Sequence, residues 1–263
     1  MPELPDVERF RQYLYSTSLH QTITEVDPRD EMVLADVTEA DLQSALVGKK
    51  LVDTRRHGKW LFADTDGGPW LCLHFGMTGH LVYFEEISDD PEYDRLLLSF
   101  ASGMHLAYDC QRRLGRISLT DGVEDFIERR GLGPDARGLS RERFEEAVEG
   151  RSARLKTLLM DQSVIAGLGN ILVDEILYQA GHHPEQHADE LDEEALTGLH
   201  GAIDEVVETM VGARTGSDET IPDDWLIHHR DEGAKCPRCG GMVERIKING
   251  RTTYFCPSCQ KLQ

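Results

Sequence analysis

The chain has 263 residues, of which 40% are hydrophobic and 29% are charged. The length suits two domains, the composition is that of a soluble globular protein, and no apolar run approaches the roughly 20 residues that span a membrane. The N-terminus has no basic segment followed by an apolar one, so we expect no secretory signal and a cytoplasmic location.

The formal net charge of -20 argues against a polyanionic partner, because such partners are bound by Lys and Arg side chains. The charge is uneven, however. Residues 228–263 hold seven basic and three acidic residues, a local charge of +4, so the rest of the chain carries about -24. A polyanion therefore remains a candidate partner for particular segments.

The N-terminal segment predicts an amphipathic helix over residues 3–17, with Val7, Phe10 and Leu14 at helical spacing. Removal of Met1 would leave Pro2 as a secondary amine. An α-amino group has a pKa near 8, so part of it is unprotonated at neutral pH and can attack an aldehyde-level carbon. Glu3 beside it could act as an acid or base. Taken alone, the segment is more typical of an ordinary helix start with a proline and acids.

Residues 21 to 120 contain short apolar runs separated by Gly, Asp and Pro, which predicts a β-sandwich or barrel. Ser88–Asp94 is expected to form an exposed acidic loop. The sequence His57-Gly58-Lys59 places Lys59 at a hairpin or strand start, where a lysine is usually a solvated end.

Two glycine-flanked segments carry a second pattern. Met77 lies between Gly76 and Gly79, and Arg112-Arg113 precede Leu114. An apolar wedge with an arginine is what extrusion of a base from duplex DNA needs, because the wedge fills the vacated stack. The alternative is a core methionine and two surface arginines.

Gly131–Ser140 reads as a linker, because it is rich in glycine and contains Pro134. After it the hydrophobic period becomes helical. The turn Gly167-Leu168-Gly169-Asn170 could present backbone N–H groups to a phosphate, or it is an ordinary capped turn. The predicted helices are Arg141–Val148, Leu155–Asp161, Ile171–Ala180 and Glu193–Val211.

Four of the six cysteines form two Cys-x2-Cys pairs with sixteen residues between them. Each pair can bend around one ion, and two pairs complete a tetrahedron, which predicts one structural zinc ion. The alternative is two chance pairs of buried thiols. The predicted ligands are Cys236, Cys239, Cys256 and Cys259.

Six collinear motifs resemble the formamidopyrimidine-DNA glycosylase and endonuclease VIII family of bifunctional DNA glycosylases. They are the PELP-x-VE start, the GK turn, HFGMTG, QRRLG, KTLLMDQ…GLGN and the terminal cysteine pairs. The resemblance implies an α+β multidomain fold. We expect an N-terminal catalytic β-sandwich domain with a flanking helix (1–130), a linker (131–140), a helix–two-turns–helix DNA-binding domain (141–222) and a zinc finger (223–263).

The resemblance also implies roles for single residues. Pro2 is the Schiff-base nucleophile, Glu3 opens the sugar ring, and Lys59 is a second general acid/base. Arg251 grips the lesion's phosphate and assists δ-elimination. The resemblance implies a monomer whose partner is double-stranded DNA with oxidised bases or abasic sites. The implied DNA contacts are Met77, Arg112, Leu114, Lys156 and Asn170, with Arg113 and Arg151 as weaker candidates.

The sequence departs from the family pattern at two places. The second wedge position is Leu114, where the purine-specific branch usually has Phe. Gly216–Trp225 is shorter than the loop that covers a flipped 8-oxoguanine, so we expect poor cover of that base. Ile227–Asp231 resembles the endonuclease VIII branch, whereas Met77 resembles the purine branch, and the preferred lesion stays open.

Two other functions compete with a catalytic one. The first is a non-catalytic protein that binds damaged DNA on the same fold; it would have no need of Pro2, Glu3 and Lys59 together. The second is a zinc-stabilised interaction module whose acidic surface imitates DNA. The presence of Arg112, Arg113, Asn170 and Arg251 argues against it.

Overall fold

The computed structural model describes residues 1–216 and 220–262. The chain forms two compact units, Met1–Arg130 and Gly131–Gln263. Within the described ranges, no helix combines the length and apolarity needed to cross a membrane.

The first unit contains an N-terminal α-helix, eight strands, two further short α-helices and two 3₁₀ helices, Glu31–Val33 and Ile87–Asp89, among the described residues. Its elements are α1 (Leu4–Ser18), β1 (Ile23–Pro28), α2 (Glu39–Leu46), β2 (Leu51–His57), β3 (Trp60–Thr65), β4 (Trp70–His74), β5 (His80–Phe84), β6 (Asp94–Phe100), β7 (His105–Asp109), β8 (Arg116–Thr120) and α3 (Val123–Arg129).

The strands form two four-stranded antiparallel sheets, in the orders β1-β6-β7-β5 and β2-β3-β4-β8. Buried side chains from both sheets belong to one hydrophobic cluster, which confirms the predicted sandwich. Helix α1 adds its apolar face to this cluster, as its spacing predicts. The α1 residues in the cluster are Val7, Phe10 and Leu14.

The sequence-based expectation for residues 21–120 was wrong at α2, which lies where only strands were predicted. Thr38 caps this helix, because its Oγ1 accepts a hydrogen bond from Asp41 N at 3.2 Å. In return, Asp41 Oδ2 accepts one from Thr38 N at 2.8 Å. Such a capping box, with Leu42 and Leu46 buried behind it, starts a helix within an otherwise β-rich segment.

The predicted acidic loop Ser88–Asp94 needs a correction at its last residue. Asp94 begins β6 and is only 5% exposed. Burial raises the pKa of Asp94 by more than the neighbouring Arg29 charge lowers it, and the resulting pKa is about 7. The carboxyl is therefore part of the sandwich and not of a solvated loop.

The second unit contains helices followed by a β-hairpin. Helix α6 ends at Gly181, whose φ of +75° is the left-handed conformation that closes a helix. Helix α7 continues beyond the predicted Val211 to Thr215. The elements are α4 (Arg141–Val148), α5 (Leu155–Met160), α6 (Asn170–Ala180), α7 (Glu193–Thr215), a 3₁₀ helix (Leu226–His229), β9 (Glu244–Ile248) and β10 (Arg251–Phe255).

The expectation about Gly216–Trp225 lies partly outside the described residues, because the structure does not describe residues 217–219. Trp225 itself is buried and directly precedes the 3₁₀ helix.

A buried carboxylate joins the parts of the second unit. Asp174 Oδ1 on α6 accepts a hydrogen bond from Lys156 Nζ of α5 at 2.6 Å. Its Oδ2 accepts from Arg230 Nε at 3.2 Å and from the backbone N of Tyr254 in β10 at 3.2 Å. Asp174 and Lys156 are both 1% exposed. One side chain thus ties α5, α6, the segment after the 3₁₀ helix and β10 together.

Asp174→Asn should destabilise the second unit by about 3–5 kcal/mol, because it leaves the buried Lys156 ammonium without its anion. The measurement is urea denaturation, with Glu194→Gln, an exposed acid in the first turn of α7, as the control variant. A loss of stability no greater than that of the control would contradict the assigned role.

Candidate active site and nucleic-acid interface

The N-terminus is held by the first turn of α1. Glu3 is the N-cap residue, its backbone N donates to Asp6 Oδ2 at 3.0 Å, and its carbonyl accepts from Val7 N at 3.1 Å. Pro2 is half-buried, whereas Glu3 is only 4% exposed. The backbone between them is therefore fixed.

Lys59 occupies a two-residue turn between β2 and β3. His57 pairs with Trp60 across it, and Gly58 has φ +55°, the left-handed conformation that glycine tolerates best. Lys59 is partly exposed at the tip. The structure therefore presents this ammonium from a tight hairpin and not from a flexible loop.

An ion pair that sequence analysis missed connects this turn to α1. Arg56 Nη1 donates to the carbonyl of Gly58 at 3.0 Å, and its Nε lies 3.3 Å from Glu8 Oε2. Glu8 is 4% exposed on α1. The helix that starts at Glu3 and the turn that carries Lys59 therefore share one anchor. An acidic residue next to the core position Val7 was the only local signal for it.

Buried Glu8 and half-buried His74 set the electrostatics around this anchor. Burial raises the pKa of Glu8. The hydrogen bonds from Arg11 and the charges of Arg11 and Arg56 together lower it by more, so the net shift of the pKa is downward. Burial, with the nearby charges of Lys59 and Arg116, lowers the pKa of His74 to about 4. Glu8 is thus ionised and His74 is neutral at physiological pH.

The structure brings the two predicted wedge segments together. The backbone N of Arg112 donates to Thr78 Oγ1 at 3.2 Å. A Cβ on Gly76 would lie 2.4 Å from the carbonyl carbon of Leu114, so only glycine permits this backbone approach. Leu114 is 45% exposed, and Met77 is half-buried. An apolar side chain therefore stands out from a turn that is packed against the Met77 loop.

The two arginines of this turn differ. Arg112 is exposed. Arg113 has a left-handed φ of +55°, and its Nε lies 3.0 Å from Asp30 Oδ2. A phosphate that used Arg113 would have to compete with that carboxylate.

Lys156 and Asn170 meet at the start of α6, but Lys156 does not reach the surface. Its Nζ donates to the carbonyl of Asn170 at 2.8 Å in addition to Asp174. Asn170 Nδ2 donates to the carbonyl of Thr252 at 2.9 Å. Arg151, in the segment between α4 and α5, is exposed. Lys156 thus fixes the helix N-terminus from inside, and Asn170 links it to β10.

Arg251 follows the hairpin turn Asn249-Gly250, whose residues have φ +46° and +75°. This is the combination that a tight Asn-Gly hairpin requires. Asn249 Nδ2 donates to Thr157 Oγ1 at 3.0 Å, which holds the hairpin tip to α5. Arg251 is exposed, and within residues 1–216 and 220–262 no carboxylate pairs with it. It is available to an anion.

The four predicted cysteine ligands converge. Their sulfur atoms all lie within 4.8 Å of one another. The Sγ atoms of Cys236 and Cys259 are 3.8 Å apart, and those of Cys239 and Cys256 are 3.6 Å apart. Four sulfurs at about 2.3 Å from a tetrahedral zinc ion are about 3.8 Å from one another. The site fits one structural zinc ion.

The zinc site is docked on α6 through Tyr178. The Tyr178 hydroxyl lies 3.3 Å from Cys236 Sγ. The Arg238 guanidinium lies over the Tyr178 ring, with its Cζ 4.3 Å from the ring centre, and its Nη1 donates to the backbone carbonyl of Tyr178 at 2.9 Å. The metal site therefore orients the hairpin that carries Arg251 relative to α6.

Three family models match the chain. The formamidopyrimidine-DNA glycosylase N-terminal domain matches residues 1–117, and the H2TH domain of the same glycosylase matches residues 131–220. The zinc finger found in FPG and IleRS matches residues 233–262.

Similar proteins cover the chain from end to end. The formamidopyrimidine-DNA glycosylase of Novosphingobium aromaticivorans is 36% identical over 99% of this chain and 100% of its own length. That of Halorhodospira halophila is 34% identical over the same shares. A MutM structure in complex with carbocyclic 8-oxo-G containing DNA is 30% identical with a TM-score of 0.88, covering 99% of this chain and 100% of its own.

Removal of zinc should unfold the finger and release Arg251, because the four thiolates then lose the ion that holds them together. We expect one zinc per chain by metal analysis, and loss of amide protection in β9 and β10 on chelation. Cys239→Ala should reproduce this loss, whereas Cys72→Ala in the first unit should retain a full zinc content. Active protein with well under one zinc per chain would contradict the assignment.

Proposed function

Because the chain belongs to the formamidopyrimidine-DNA glycosylase family and is a DNA glycosylase of base-excision repair, we propose that its nucleophile is the amine of Pro2. Removal of Met1 frees this amine. The observation that carries the proposal is the arrangement of α1: Pro2 precedes a buried, backbone-fixed Glu3, and the Glu8–Arg56 pair anchors the Lys59 turn to the same helix.

The first step is base excision. The Pro2 nitrogen forms a bond to C1′ of the extruded nucleotide and loses its N–H proton. The bond from C1′ to the base breaks with its electron pair leaving on the base, which takes up that proton. Glu3 donates a proton to the ring oxygen, so the sugar opens. A secondary amine yields a cationic iminium directly, which is an electron sink for the steps that follow.

The second step is strand scission. The iminium acidifies the C2′ proton, and loss of that proton expels the 3′ phosphate by β-elimination. A second elimination expels the 5′ phosphate. We assign Lys59 as the acid/base for these proton transfers and Arg251 as the cation that holds the phosphate. Water then releases Pro2 and the sugar remnant.

The proposed DNA contacts are assigned to side chains that are at least partly exposed. Leu114 and Met77 are proposed to fill the vacated stack, with Arg112 bonding to the orphaned base. Asn170 is proposed to contact the backbone, and Lys156 to act on DNA only by holding Asn170 in place. Exposed arginines at a few positions thus give local positive charge where the duplex is proposed to bind, although the net charge of the chain is -20.

A non-catalytic damaged-DNA-binding protein is less consistent with this site. Binding alone does not need the buried Glu3 carboxyl next to an N-terminal amine. It also does not need the buried Glu8–Arg56 ion pair that anchors the Lys59 turn. Burying such charges is costly even when they are paired, so binding alone gives no reason for them.

Glu3→Gln should separate the two activities. Excision from duplexes with 8-oxoguanine, a ring-opened purine or an oxidised pyrimidine should fall by about 100-fold or more, the usual contribution of a general acid. Cleavage of a preformed abasic site should fall much less, because no base has to leave. Single-turnover assays measure both rates, with Glu25→Gln, an exposed acid on β1, as the control. Equal losses on both substrates, or none, would refute the role of Glu3.

A further inference from the structure

We propose that Asp30 is a positioning residue that holds the wedge turn, defined as Cys110–Gly115, in the conformation that presents Leu114 to DNA. The inference rests on the proposed function, because it concerns the step in which the lesion base is extruded. Asp30 lies between β1 and α2, outside every motif that carries the family resemblance.

The Asp30 carboxylate uses both oxygens. Its Oδ1 accepts a hydrogen bond from Met32 N at 3.0 Å, which caps the short 3₁₀ helix Glu31–Val33. Its Oδ2 pairs with Arg113 Nε at 3.0 Å. The side chain is only 12% exposed. The hydrogen bond to the backbone of Met32 thus fixes the orientation of the carboxylate that pairs with the wedge turn.

A second arginine extends this contact to the start of the turn. Arg95 Nη1 lies 3.6 Å from Asp30 Oδ2, and Arg95 Nε donates to the carbonyl of Cys110 at 3.2 Å. The same carbonyl accepts from Arg113 N at 3.2 Å. Asp30 therefore reaches the turn both through the Arg113 side chain and, by way of Arg95, through the Cys110 carbonyl.

The turn needs such support, because Arg113 is not a glycine. Its φ of +55° lies in the left-handed region, which costs free energy for a residue with a Cβ and persists only where neighbouring contacts enforce it. Removing the ion pair would let Arg113 relax towards negative φ. The carbonyl of Leu114 could not follow that change freely, because it is packed against Gly76.

The functional consequence falls on Leu114, which is 45% exposed. An apolar side chain that enters a base stack gains most when its backbone is already ordered, since ordering it during extrusion would subtract from the gain. The carboxylate is not needed to contact DNA for this effect. It acts through Arg113, at the neighbouring position.

The test is the rate of base extrusion by Asp30→Asn, followed by the fluorescence of 2-aminopurine placed next to the lesion. We expect extrusion and lesion cleavage to slow by about tenfold. This factor corresponds to the free-energy cost of the left-handed conformation at Arg113, which the ion pair would no longer offset. Cleavage of a preformed abasic site should stay within about twofold of the wild-type rate. Asp27→Asn is the control, because it also removes a carboxylate from an arginine, Arg29.

The same Asp30→Asn substitution is also made in an Arg113→Gly protein. This second comparison separates the effect of Asp30 on the turn from a general loss of stability. Glycine adopts positive φ freely, so adding Asp30→Asn to the Arg113→Gly protein should change extrusion by less than about twofold. A tenfold further loss in that background would show that Asp30 acts otherwise. Tighter binding and faster extrusion by Asp30→Asn would make Asp30 a competitor of phosphate and overturn the proposal, as would unchanged extrusion. A wild-type protein that cleaves no lesion would instead refute the proposed function.

Discussion

The second unit depends on the buried ion network at Asp174. A carboxylate and an ammonium that are both nearly inaccessible are tolerated only because each is paired and hydrogen-bonded. The Lys156 ammonium also holds the carbonyl of Asn170, at the N-terminus of α6. Groups that have no access to DNA thus determine where a proposed DNA-contacting residue lies, and the backbone of β10 is tied to the same carboxylate.

The first unit uses the same device twice. Glu8 and Arg56 anchor the Lys59 turn to α1, and Asp30 pairs with Arg113 in the wedge turn. In each case a little-exposed carboxylate orients a basic group or a turn at the proposed interface. Part of the large acidic excess of this chain therefore positions cations that are proposed to act on the duplex.

Local patterns predicted much of this structure. The spacing of Val7, Phe10 and Leu14 predicted α1, and the Cys-x2-Cys pairs predicted a zinc site whose sulfurs do converge. Burial of Lys156 and the pairing of Arg113 with Asp30 were missed. These depend on partners 18 and 83 residues away, which no hydrophobic period or short motif encodes. Helix α2 was missed for a simpler reason, because its capping box was not recognised in a strand-rich segment.

The central claim is that the Pro2 amine attacks the sugar, and covalent trapping tests it most directly. Borohydride reduction during reaction with an abasic oligonucleotide should link DNA to the protein irreversibly. Mass spectrometry of the digested product should then place the link on a peptide that begins at Pro2, and a protein whose Pro2 nitrogen is acylated should give no link. A crosslink on Lys59 or on any other lysine would contradict the account.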